Sequence, residues 1–292
     1  MRKLLLLIYL LSALPLCAQL PQGYKKAYTL FDAAGHEVGY KQMIDSLRLA
    51  DVVFVGEIHN CSIAHWMERE IAQSLYEAHG SKLSLGAEMF EADNQLILDE
   101  YLSGTISSER FEAEARLWPN YATDYAPLVE MAKEYHLPFI ATNVPRRYAN
   151  TVSRKGLQAL DALSSAAKKF LPPLPLPFES DAATQATFEM MGAMGGGHKH
   201  DALYLEQAQA VKDATMAWFI AQNCTHHFLH FNGNFHTNHR KGIIAYLHRY
   251  APRLKVKTVC TVRQETIDHL GEEQEGRADF YICVPESMTN TY

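Results

Sequence analysis

Asp51-Val-Val-Phe-Val-Gly-Glu-Ile-His59 is the stretch that decides the fold. Four apolar residues follow one another without alternation and stop at Gly56. A strand with one wet face alternates polar and apolar side chains, whereas an unbroken run means that both faces are covered. Strands of this kind belong to parallel sheets packed between helices. The flanking sequence repeats the theme. Lys82 to Ala87, Phe139 to Thr142, His226 to Phe231, Val256 to Val262 and Asp279 to Val284 read as further strands. Between them, Ile63 to His79, Gln95 to Leu102, Leu128 to His136 and His239 to Tyr250 carry helical periodicity, and Ser107 to Arg110 offers a helix start. Tyr40 to Leu49 adds a helix before the decisive strand, and Tyr28 to Phe31 with Gly35 and Val38 predicts a short hairpin. Strands alternating with helices predict an α/β fold, a mostly parallel sheet flanked by helices.

The rhythm breaks between about residues 157 and 222. Pro172-Pro-Leu-Pro-Leu-Pro177 is stiff and extended. A Met-rich helix, a glycine loop at Gly195 to Gly197 and a long helix from Asp201 to Gln222 come after it. This segment reads as a helical insertion within a single domain covering residues 19–292.

Composition sets the outer limits. Of 292 residues, 48% are hydrophobic and 21% charged, values that rule out wholesale disorder. A net charge of −6 argues against a nucleic-acid partner, because phosphate binding needs a basic surface. Arg2 and Lys3 precede the apolar run Leu4 to Leu16, which is too short to span a bilayer and is followed by Ala18. Residues 1–18 therefore read as a signal peptide, placing the mature chain outside the cytoplasm, in the periplasm or at the outer membrane. Acylation at Cys17 is the alternative, a lipid anchor disfavoured by Pro15 and Leu16 before the cysteine. Cys61, Cys224, Cys260 and Cys283 match no zinc spacing and read as buried thiols. No glycine-rich dinucleotide or phosphate loop, serine nucleophile elbow or covalent haem attachment motif is present.

Chemistry gathers at the strand ends. Glu57 and His59 follow the first apolar strand and, two apart in extended chain, point the same way. Glu88, with Glu91 nearby, ends the second. Asn234 and His236 follow the fourth and by the same logic share a side. The carboxyl ends of parallel strands form the ligand crevice of open α/β sheets. Glu57, His59, Glu88 and His236 are thus candidate ligands for a divalent metal with open positions for water. A second group lies in the insertion, where Met190, Met191 and Met194 precede Gly197-His198-Lys199-His200 and Tyr204. This is either a solvated loop beside a Met-filled core face or a site for a flat apolar ligand carrying iron. In the second case His198, His200 and Tyr204 are the iron ligands, with Tyr121 and Tyr125 as rivals. Arg146 and Arg147, otherwise a solvated pair, would meet the haem propionates.

Gly56-Glu57-Ile58-His59, Ala87-Glu88-Met89-Phe90-Glu91, Asn143-Val144-Pro145-Arg146-Arg147, Gln207-Ala208-Gln209 with Lys212 to Ala217, and Gly233-Asn234-Phe235-His236 occur in that order. The set resembles the ChaN-like haem-binding uptake proteins of the Tiki/TraB/erythromycin-esterase-like superfamily. The resemblance implies an exported α/β protein that binds ferric haem through Tyr or His and serves iron acquisition. It further implies a homodimer interface and outer-membrane haem-uptake machinery as partners. In the metal-dependent branch it implies a metal on His59, Glu88 and His236 with help from Glu57, which keeps a metal-dependent hydrolase as the alternative function.

Overall fold

The computed structural model describes residues 25–194 and 201–292. The signal-peptide segment with Cys17, and His198 and His200 of the glycine loop, lie outside the described residues.

Strand β2 (Val52–Glu57) is buried at every position, as its unbroken apolar run predicts. It pairs in parallel with β5 (His227–Gly233) on one side and β6 (Val256–Gln264) on the other. Strand β5 in turn pairs with β3 (Leu83–Glu91), and β3 with β4 (Phe139–Asn143), both in parallel. On the far side β6 pairs in parallel with β7 (Phe280–Pro285), and β7 is closed off by the antiparallel edge strand β1 (Thr29–Asp32). The described strands form one seven-stranded sheet in the order β1-β7-β6-β2-β5-β3-β4. The predicted N-terminal hairpin is present in short form on the other edge of β1: Phe31 and Glu37 form an antiparallel bridge, flanked by the Asp32 N–H donating to the His36 carbonyl and the Val38 N–H donating to the Leu30 carbonyl, both at 2.9 Å.

Two helical layers cover the sheet, and strand parity assigns each side chain to one of them. Val53, Val55, Leu85, Ala87, Leu229 and Phe231 face α1 (Tyr40–Leu47), α2 (Ser62–His79), α3 (Gln95–Leu102) and α5 (Ala126–Glu134). On the opposite face, Val52, Phe54 and Phe228 pack against Met216, Ala217 and Ile220 of α9 (Ala202–Asn223) and Ile243, Ile244 and Leu247 of α10 (Ile243–Tyr250). Helix α4 (Ser108–Glu114) starts at Ser107, whose hydroxyl accepts the Arg110 N–H. The segment between residues 157 and 222 contains α7 (Ser165–Lys168), α8 (Ala182–Met194) and α9. Of these, α9 lies on the sheet itself and against α6 (Arg146–Lys155). The four cysteines of the described chain are free thiols.

One buried histidine marks the centre of the sheet. His230 on β5 is fully enclosed, edge-on to Phe54 at 5.6 Å, with Thr142 Oγ1 2.8 Å from Nε2 and Asn232 Oδ1 3.0 Å from Nδ1. Burial pushes it down to about 4, so it is neutral in the folded chain at pH values where the unfolded chain already protonates it. Between the ordinary 6.5 and about 4 the unfolded state binds the extra proton, so stability is complete above pH 6.5 and is lost as pH falls. At about 1.4 kcal/mol per pH unit the loss approaches about 3 kcal/mol at pH 4. Urea unfolding at pH 7, 5.5 and 4.5 should show this decline, with a shallower one in His230→Gln. Equal slopes in both proteins would remove His230 as the cause.

Candidate functional site

Because β5 lies between β2 and β3, the carboxyl ends of these three strands are neighbours. Glu57 stands in register with Gly233 at the ends of β2 and β5. His59 lies two residues beyond β2, and His236 closes a short turn of 3-10 helix, Asn234–His236. The two glycines make this convergence sterically possible. A Cβ on Gly233 would lie 2.8 Å from both Cε1 and Nε2 of His59, and one on Gly56 would lie 2.5 Å from Asn234 Oδ1. Each glycine precedes a histidine by three residues and clears room for the opposite loop.

Glu57, His59, Glu88 and His236 thus meet at one end of the sheet, as two linked pairs. The first is His59 Nδ1 with Glu57 Oε1 at 2.6 Å. The second is His236 Nε2 with Glu88 Oε1 at 3.0 Å. Asn234 does not share a side with His236. The extended-chain expectation fails because the segment coils, and Asn234 donates instead to the Thr261 carbonyl.

A residue outside the predicted set completes the second pair. Asp213 of α9 binds Nδ1 of His236, so the imidazole is held between two buried carboxylates. The carboxamide of Gln209, one turn earlier on α9, lies 2.8 Å from the same nitrogen. Burial alone would lower the affinity of His236 for its proton, but Glu88 and Asp213 reverse this and push it up to about 10. Burial likewise opposes ionisation of Glu88. The His236 charge, the His59 charge and the Gly233 N–H, which donates at 2.8 Å, nevertheless hold it well below the usual carboxylate range. Asp213 is raised, because burial, with the Glu88 charge nearby, outweighs the cations of His236 and Lys212. His59 is raised despite burial by its hydrogen bond to Glu57. Gln209 and Asp213 are four apart and share one helix face. Their motif was legible in the sequence, but the partner of that face was not.

Beside this cluster opens a cavity of about 560 Å³. Leu117, Trp118 and Pro119 line one part of it, Val144 and Ala149 another, and α9 contributes Leu205, Ala208, Gln209 and Lys212. Glu88 reaches it from the strand ends, and Trp118 stands edge-on to His59 at 5.0 Å. The His59 side chain remains 38% exposed.

Arg146 lines the cavity and pairs with Glu91, which also accepts from Arg116 Nε at 3.1 Å. Arg147 pairs with Asp93, as does Arg116. Neither arginine of the predicted pair is therefore simply solvated; three guanidinium groups face two carboxylates. Tyr204 is partly buried in the first turn of α9, next to the cavity-lining Leu205. Tyr121 and Tyr125 are both buried, and the Tyr125 hydroxyl donates to Glu57 Oε1 at 2.8 Å. Neither phenol is presented to a ligand arriving from solvent.

With His236 shared between Asp213 and Glu88, loss of one carboxylate should release part of its charge. Asp213→Asn should bring the His236 proton affinity down by at least one pH unit, read from the ring Cε1 proton in an NMR titration. An unchanged titration would mean that Glu88 alone sustains the charge.

The family model for haem-binding uptake proteins of the Tiki superfamily, ChaN, matches residues 43–247. No curated protein matches the chain. Among solved structures, that of Campylobacter jejuni ChaN, described for cofacial haem binding, superposes with a TM-score of 0.67 at 16% identity, over 87% of this chain and 96% of that one. A Bacillus cereus protein aligns at a TM-score of 0.48 and 12% identity, over 84% and 90%. An erythromycin esterase aligns at 0.46 and 12%, over 88% and 83%. The Campylobacter structure supports the α/β fold alone, and the family match spans most of the sequence: the chain belongs to the haem-binding uptake family of the Tiki superfamily, the ChaN family.

Proposed function

We propose that this protein binds ferric haem non-covalently outside the cytoplasm and takes part in haem and iron acquisition. Family membership supplies the ligand class. The observation that carries the reading to this chain is the cavity beside the strand ends, which joins apolar walls to a cationic rim. Its volume lies within the range of about 300 to 1,000 Å³ usual for small-molecule sites.

The donor set fits haem. The porphyrin disc needs apolar contact, offered by Leu117, Trp118, Val144, Leu205 and Ala208. Its propionates need cations. Arg146 and Lys212 line the cavity, and the Arg116, Arg146 and Arg147 group exceeds Glu91 and Asp93 by one positive charge. When bound, haem would supply an iron centre open to an axial protein ligand. Tyr204 is the described candidate for that ligand, and His198 and His200 precede it in sequence. His59 is a partly exposed imidazole at the same end of the sheet, oriented by Glu57.

The basic and apolar leader supports export of the chain, with acylation at Cys17 as the form in which it would be tethered. No helix among the described residues is long and apolar enough to cross a membrane. Delivery from outer-membrane haem-uptake machinery and pairing of two copies around haem belong to the same proposal. The metal-dependent hydrolase reading has less behind it. As folded, His236 commits both ring nitrogens to carboxylates, and a metal would have to displace its Nε2 proton.

Haemin titration of the haem-free protein, followed at the Soret band, should give a saturable shift. Tyr204→Phe and the His198→Ala/His200→Ala double variant test the axial ligand. The variant that removes it should bind at least tenfold more weakly or show a displaced band. A normal shift in both would keep haem and move the ligand to another residue, with His59→Ala as the next variant. No saturable shift in the unaltered protein would end the reading.

A further inference from the structure

Behind the crevice, on the side away from His236, lies a second group of ionisable side chains. Glu57 ends β2, His65 and Glu68 occupy the first two turns of α2, and Asp124 belongs to the π-helical turn Tyr121–Tyr125. All four are buried. Among the described residues, Glu57, His65 and Glu68 each offer one ligand-type atom within 4.8 Å of the others. No lysine or arginine among the described residues forms an ion pair with any of the three carboxylates, whose ion-pair partners are His59 and His65. Were all three ionised, one negative charge would be left even with both imidazoles protonated; burial, with Glu57 beside it, pushes the Glu68 carboxyl well above the usual carboxylate range, so a proton or a cation must be held there. An isolated charge there is strongly disfavoured unless it is paired or coordinated.

Two oxygens show where the deficit sits. Glu57 Oε2 and Glu68 Oε1 are enclosed and accept no hydrogen bond, and both side chains are 0% exposed. The other Glu57 oxygen is fully engaged, accepting from Tyr125 and from His59. Asp124 is satisfied through Oδ2 by Asn120 at 2.7 Å and Thr291 at 2.8 Å.

The imidazole of His65 is set for coordination. Its Nε2 lies 3.0 Å from the His59 carbonyl, which can only accept, so Nε2 carries the proton. The Asp124 carboxylate stands 3.3 Å from the same nitrogen. In the neutral ring Nδ1 is then a bare lone pair, aimed at Glu68 Oε2 at 3.2 Å and Glu57 Oε2 at 3.4 Å. Three acceptors facing one another repel unless a cation or a proton lies between them. Ligands held about 2.1 Å from a tetrahedral metal lie about 3.4 Å apart, which matches the two spacings. Fixing of the imidazole through its far N–H by a carbonyl and a carboxylate is the usual support of a ligating histidine.

We propose that Glu57, His65 and Glu68 form a buried site for a divalent cation of the zinc or manganese class, separate from the strand-end crevice. One imidazole and two carboxylates suit such borderline to hard ions. Glu57 joins the two sites, with Oε2 on the cation and Oε1 on His59 Nδ1. The cation thereby fixes the imidazole that faces Trp118 beside the cavity.

The test uses the haem-free full chain, stripped with a chelator, titrated with Zn²⁺ and with Mn²⁺, desalted and analysed for metal. One ion per chain is expected, with a raised melting temperature. Glu68→Gln and His65→Gln should each weaken binding at least a hundredfold while circular dichroism stays unchanged, and His236→Gln should retain the ion. Failure of both metals to reach stoichiometry would overturn the proposal, leaving a shared proton as the occupant. So would retention of the ion in Glu68→Gln with its loss in His236→Gln, which would place it in the crevice. If His65→Gln fails to fold, Glu68→Gln decides alone, since it keeps the shape of the side chain.

Discussion

Glu88 is the charge on which the arrangement of this molecule turns. A carboxylate enclosed at the end of β3 cannot be left without compensation. Its needs are met by elements distant in sequence: the Gly233 N–H from β5 and the His236 imidazole from the turn after it. His236 in turn is held by Asp213. That chain of contacts runs from the middle of the sheet to α9 and ties the long helix to the strand ends. The cavity wall formed by Leu205, Ala208, Gln209 and Lys212 stands where it does because the next turn of the same helix ends in this ion pair.

The same network explains the polarity of the site. On the cavity side, charge is balanced: Glu88 and Asp213 share an imidazolium, and Glu91 and Asp93 are covered by arginines. The arginines bind acidic residues of this chain, and only their excess is free to meet an anionic ligand. Behind β2 the balance fails: among the described residues the three carboxylates of Glu57, Glu68 and Asp124 have only the imidazoles of His59 and His65 as ion-pair partners. The two regions touch through Glu57, so the state of the inner cluster bears on the orientation of His59.

Much of the site was legible in residues 56–59 and 233–236, because strand ends in a parallel sheet are a sequence-level feature. An apolar run of a given length ends at a definable residue, and the residues just beyond it face the crevice. Glu57 and His59 do pair, although His59 already lies in the turn after β2 that the Cys61 N–H closes on the Ile58 carbonyl. The extended-chain argument misplaced Asn234, since the turn after β5 coils. His65 and Glu68 gave no signal as site residues. In sequence they read as two positions of an amphipathic helix, and helical spacing alone does not say that a buried carboxylate lies opposite.

The sequence by itself determined the sheet, its parallel sense and the gathering of carboxylates and imidazoles at one end of it. Hydrophobic runs and period-two alternation are local properties and need no knowledge of the partner strand. Strand order was decided only by tertiary structure: β5 enters between β2 and β3, although about 140 residues separate it from β3. That insertion makes Glu57, Glu88 and His236 neighbours and brings Asp213 over them. Which charge compensates which is a property of distance and enclosure, and neither is written along the chain.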